Sequence, residues 1–98
     1  MNQYMIEIQL PEELDQELLS MIPEQREHIE TLMNDGLITS YSLAEDRSKL
    51  WVVLDASNEQ KVLEILSGFP IIGYVSSEVH PLAFNNNMKV ALPRISLN

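Results

Sequence analysis

Glu24 and His28 stand one helical turn apart, and together they are the first candidates for chemistry in this sequence. Side chains four residues apart on a helix meet. The carboxylate of Glu24 can therefore orient the His28 imidazole as a general base or a ligand donor. The same spacing also describes an ordinary ion pair on a helix surface, and the residues alone leave both readings open. His80, beside Pro81, can line a pocket mouth, meet a neighbouring subunit, or lie at the surface. Tyr41, Tyr74 and Trp51 are the aromatic candidates for a pocket wall. Trp51 reads first as core or interface, where large amphipathic rings are favoured. Tyr74, at a Gly-x-Pro corner, is the best-placed ligand contact.

Several chemistries are excluded. There are no cysteines, hence no disulfide, thiolate nucleophile or thiolate metal site. The two histidines show no His-x-x-x-His spacing, so no metal site is expected. Three scattered glycines form no phosphate-binding loop, and no Ser-His-Asp motif is present. No cofactor is expected. Six basic against fifteen acidic residues leave a formal charge of −9, which disfavours nucleic acid and anionic membrane surfaces as partners. The N-terminal MNQYMIEIQLPEEL lacks the basic start and apolar core of a signal peptide, and no apolar run reaches the ~20 residues of a membrane helix. A cytoplasmic protein is expected.

The elements that must position these residues follow from periodicity. Tyr4 to Leu10 alternates as a half-buried strand, interrupted by Pro11. Glu12 to Asp35 is helical in pattern, and Pro23 is expected to split it into two pieces. The second piece carries Arg26, Ile29, Leu32 and Met33 on one face and stops at Gly36. Leu37 to Leu43 and Leu50 to Asp55 are strands, close enough to pair as a hairpin. Leu50–Asp55 is apolar on both faces and belongs inside a sheet. Ser57 and Gln60 form a capping box for a second helix, whose stripe is Val62, Ile65, Leu66 and Phe69. Gly68 is expected to end it in a left-handed conformation. Ile71 to His80 is the fourth strand. The order is β-α-β-β-α-β, the ferredoxin-like α+β arrangement with a four-stranded antiparallel sheet. Residues 1–82 form the domain, and 83–98 a tail in which Met88–Leu92 can add an edge strand or an intersubunit arm. Two helices cover one sheet face only. Trp51 and Val53 make the other face apolar, which points to a homodimer built sheet to sheet.

At Ile65-Leu66-Ser67-Gly68-Phe69-Pro70-Ile71-Ile72-Gly73-Tyr74 the chain resembles the muconolactone isomerase family. Members carry a helix ending in Leu-Ser-Ser-Leu-Pro, then a tyrosine and a strand with Glu-Val. Leu66, Ser67, Pro70, Tyr74, Glu78 and Val79 occupy those places, and the similarity runs back through Asp55 to Gly36. The resemblance implies a dimeric α+β barrel, often a larger ring of dimers, with a pocket between helices and sheet near the subunit boundary. It implies isomerisation of a small carboxylated lactone by moving a proton beside a carbonyl, which needs a base, a partner for the carboxylate and a dry pocket. Two positions depart from the family. Its glutamate falls at Gln25, and an amide takes up no proton at neutral pH. Its arginine falls at Ser42, which neutralises no carboxylate.

The expected function is a small dimeric protein of this group with a pocket for a small organic molecule, its ligand contacts drawn from Gln25, Tyr41, Tyr74 and His80. One alternative is an active isomerase or lyase on a small carboxylated lactone or carbonyl compound, with Glu24 and His28 as the catalytic pair. Another is a non-catalytic dimerisation module.

Overall fold

Alternation in the two central strands makes the sheet two-faced. The computed structural model describes residues 2–13 and 15–86. It contains β1 (Asn2–Gln9), α1 (Gln16–Asn34), β2 (Ile38–Leu43), β3 (Lys49–Ala56), α2 (Glu59–Ser67), a 3-10 turn at Ile72–Tyr74, and β4 (Ser76–Pro81). The four strands pair antiparallel in the order β2-β3-β1-β4. This is the expected ferredoxin-like β-α-β-β-α-β architecture.

Tyr4, Ile6 and Ile8 of β1 stand opposite Leu54, Val52 and Leu50 of β3. All six are buried beneath the helices, joined there by Leu18, Ile29, Val62, Leu66, Phe69 and Ile71. Each buried aliphatic side chain contributes roughly 1.5–3 kcal/mol. The other face carries Met5 opposite Val53, Glu7 opposite Trp51, and Gln3 opposite Asp55. That face is mixed rather than greasy. Glu7 pairs with Lys49 at 3.0 Å, and Val53 is already only 3% exposed within a single chain, whereas Trp51 is half-buried.

Several local expectations are corrected. Helix α1 is continuous and runs through Pro23. An interior proline costs about 3 kcal/mol, but Leu18 before it and Gln25 and Ile29 after it are all buried. Tertiary packing therefore holds both halves on one axis. The helix begins at Asp15, whose side chain accepts from the Leu18 N–H at 2.8 Å. Asn58, not Ser57, caps α2, its Oδ1 accepting from the Lys61 N–H at 2.8 Å. Gly68 is right-handed, at φ −87°. The left-handed residues are Gly36 (φ 81°), after α1, and Arg47 (φ 65°), in the β2–β3 turn. The expected fourth strand begins late, because Ile72–Tyr74 coils into a 3-10 turn, and it ends on Pro81 rather than before it. Among the described residues β4 pairs with β1 alone, the position at a sheet edge where proline is tolerated. The Met88–Leu92 segment lies outside the described residues.

The cap assignment is testable. Asn58→Ala should lower stability by about 1 kcal/mol, while Ser57→Ala should change it by no more than about 0.5 kcal/mol. Urea unfolding of the two variants decides between the positions.

Candidate functional site

The site begins with the register of the β2–β3 hairpin. Tyr41 pairs with Val52 and Leu43 with Leu50, which places both on the helix-facing side of the sheet. Ser42 pairs with Trp51 and faces the other way. The hairpin turn is pinned by Asp46, whose Oδ1 accepts from the Ser48 N–H at 3.0 Å and the Ser48 hydroxyl at 2.7 Å. These bonds hold the Asp46 carboxyl below the ordinary carboxylate range. Arg47 follows at once and is presented from the turn.

Between this hairpin and α1 lies a cavity of about 270 Å³. That is the size of a site for one small ring compound, since drug-sized ligands occupy roughly 300–1,000 Å³. Leu10, Leu18, Ile22, Leu50 and Ile71 form its apolar wall, and its polar groups are Gln25, Arg26, Tyr41 and Arg47. At its rim Leu19 and Leu43 are 48% and 44% exposed.

Gln25 is the only buried polar side chain among the described residues, at 2% exposure. Its Oε1 accepts a long bond, 3.3 Å, from the backbone N–H of Ile71. Its Nε2 is buried and has no acceptor among the described residues. An orphaned buried donor costs roughly 1–3 kcal/mol. Burial raises the pKa of Tyr41 above 10.0, while nearby Gln25 and the positive charge of Arg26 pull it back in part. The Tyr41 hydroxyl thus stays protonated at physiological pH. The Gln25 amide thus lies beside the Tyr41 hydroxyl, although no well-formed hydrogen bond joins its Nε2 to a described residue.

The cavity brings together two of the six expected site residues, Gln25 and Tyr41. Glu24 and His28 face a separate polar groove with Glu27, Thr31, Gly68 and Pro70. There the His28 ring packs edge-on against Phe69, with centroids 5.8 Å apart. Gly68 lies beside it, and a Cβ there would make ordinary van der Waals contact, 3.6 Å from His28 Nε2. His28 joins the two helices instead of entering the cavity. Tyr74 lies beside Glu17 near the start of α1, and burial together with that carboxylate raises its pKa. His80 is on the other sheet face, its Nε2 4.0 Å from Glu7 and 3.8 Å from Glu78.

Glu7, Glu78 and His80 are the described residues whose grouping has metal-ligand spacing, with ligand atoms within 4.8 Å of one another. They are assembled across two strands, so no linear spacing could reveal them. Lys49 already occupies Glu7. Arg26 and Arg47 were not among the expected site residues. They are 21 positions apart, and only the hairpin's return under α1 brings them to one rim.

The chain matches the muconolactone delta-isomerase family over residues 3–88. It belongs to that family. Among solved structures it is similar to muconolactone isomerase, with 15% identity, a TM-score of 0.71 and coverage of 90% of this chain and 96% of that one. It is also similar to the 5-chloro-2-hydroxyhydroquinone dehydrochlorinase of Burkholderia phenoliruptrix AC1100, solved with 2,5-dihydroxybenzoquinone, at 12% identity and a TM-score of 0.62, covering 85% of this chain and 95% of that one. Both likenesses show the fold. No curated protein sequence matches the chain.

The environment of position 25 can be tested directly. Glu in place of Gln25 would bury a carboxyl, raising its folded-state pKa above the unfolded value of about 4.3. The penalty is absent below that pH and grows as pH rises towards the folded-state value. Q25E should therefore match the wild type in urea stability near pH 4 and fall about 1–3 kcal/mol below it at pH 7.

Proposed function

We propose that this member of the muconolactone delta-isomerase family recognises a small, oxygen-bearing ring compound in the cavity between α1 and the β2–β3 hairpin, and that it does so without a general base inside that cavity. The observation that carries this reading is Gln25: a buried amide in the wall of an otherwise apolar cavity, beside the Tyr41 hydroxyl, with no well-formed hydrogen bond from its Nε2 to a described residue. An N–H donor and the protonated Tyr41 hydroxyl suit a carbonyl, quinone or enolate oxygen. Neither can abstract a proton from carbon at neutral pH. The quinone held by the similar dehydrochlorinase has this chemistry.

The competing reading, an isomerase driven by Glu24 and His28, meets the geometry poorly, because both residues line the other groove. Titration with 2,5-dihydroxybenzoquinone, followed by amide NMR shifts, tests the recognition. Binding should perturb Ile71 and Tyr41, and Tyr41→Phe should weaken it about threefold to tenfold, consistent with a lost hydrogen bond of ~1 kcal/mol. Wild-type turnover of muconolactone that is abolished by Glu24→Gln or His28→Gln would overturn the reading.

The open sheet face supports a homodimer. It carries half-buried Trp51 beside Met5 and Val53, and the buried Asp55 Oδ1 there has no partner among the described residues. A second copy would cover the indole. Trp51 is the only tryptophan in the chain, so its fluorescence reports this face alone. Dilution should red-shift its emission as mass falls from dimer to monomer, and Trp51→Glu should give a folded monomer by light scattering.

A further inference from the structure

We propose that Glu7, Glu78 and His80 form a binding site for a divalent metal ion of the zinc type, on the sheet face opposite the cavity, where the ion clips the outer strand β4 to the central strand β1. The inference is independent of the cavity and of what enters it.

The register of β1 with β4 sets Glu7 directly opposite Glu78 and Met5 opposite His80. Alternation then puts Glu7, Glu78 and His80 on one face. Two carboxylates directly opposite each other repel and weaken a strand pair. Lys49 offsets only one of them, holding Glu7 Oε2 at 3.0 Å. The other oxygen of Glu7, Oε1, is 4.0 Å from His80 Nε2, and Glu78 Oε1 is 3.8 Å from the same nitrogen. These separations are too long for hydrogen bonds. They approach the ~3.3 Å between neighbouring ligands on a tetrahedral zinc with bonds of ~2.0 Å. One ligand atom from each of the three residues lies within 4.8 Å of the others.

The donor set and its support favour the same ion. One imidazole nitrogen and two carboxylates are zinc ligands, and three protein ligands leave a fourth position for water. Glu7 is the sheltered anchor, its side chain 24% exposed. Glu78 and His80, at 72% and 49%, have room to swing inwards by the small distance required. In metal sites a ligating carboxylate is itself held by an outer group that fixes its direction. Lys49 does this for Glu7, engaging Oε2 and leaving Oε1 towards His80. Among the described residues β4 pairs with β1 alone. An ion shared by Glu7, Glu78 and His80 ties that strand down and removes the repulsion within its pairing.

The test uses the full chain with zinc and magnesium as probes, followed by calorimetry and amide NMR. Zinc should bind one ion per chain, shift the resonances around Glu7, Glu78 and His80, and slow hydrogen exchange along β4. Magnesium at equal concentration should not displace it, since an imidazole suits zinc and not magnesium. His80→Gln and Glu78→Gln, both at exposed positions, should each weaken zinc binding about tenfold or more, because losing even a group that only orients a ligand costs on that scale. Trp51 stands opposite Glu7 on β3. Copper(II), which binds such ligands more tightly than zinc and quenches fluorescence, should therefore darken Trp51 in the wild type and not in the double variant. Zinc binding that survives both substitutions, or that equal magnesium displaces, shows ions held only by the chain's diffuse negative charge and overturns the site. The absence of any zinc-dependent shift at millimolar concentration overturns it as well.

Discussion

Two helices can cover only one face of a four-stranded sheet, and this constraint organises the molecule. Tyr4, Ile6 and Ile8 lock to Leu50, Val52 and Leu54 beneath the helices, so β1 and β3 become a rigid floor. Helix α1 must then span from the hairpin end to the far end of the same face. Where the hairpin rises towards it, side chains do not fill the gap, and the cavity remains. The uncovered face becomes a second and separate surface, bearing Trp51 and the Glu7–Lys49 pair. The sheet insulates the two surfaces from each other. A residue's place in the two-residue alternation decides which it serves, and Tyr41 and Ser42 show this from adjacent positions.

Gln25 is where the packing logic and the chemistry conflict. It occupies the buried stripe of α1 with Leu18 and Ile29, a place where a leucine would pack with no polar debt. Its Oε1 is matched, at 3.3 Å, to Ile71 at the corner leaving α2, which ties the helix to that corner. Its Nε2 is not matched. Buried unsatisfied donors are few in native proteins, so this atom marks a local energetic cost of roughly 1–3 kcal/mol.

The architecture was legible in the sequence because it depends on periodicity. The alternation of Tyr4–Leu10, the hairpin around Glu45–Ser48 and the stripe Val62–Leu66–Phe69 each report burial directly. The local details were less legible, because competing signals are nearly equal in energy. Ser57 and Asn58 are both good caps, and only the backbone decides between them. Pro23 carries a strong local stop signal that packing on both sides overrides. Gln25 escaped the core stripe because a polar side chain breaks an apolar pattern, and it was singled out only through the family resemblance. The arginine pair was hidden for a different reason. Contact between α1 and a turn 21 positions later is a property of tertiary structure, and an exposed arginine in an acidic chain looks like solvation.

Family membership and family chemistry can separate at one atom. A carboxylate and an amide share shape, so exchanging one for the other at position 25 leaves the packing of α1 against Ile71 intact. The electrostatics change in sign. A buried carboxylate would demand compensation and would repel an anion entering beside it; an amide removes that demand and offers a donor instead. The fold of the family is kept either way; what differs is the charge of the one buried polar group in the stripe of α1.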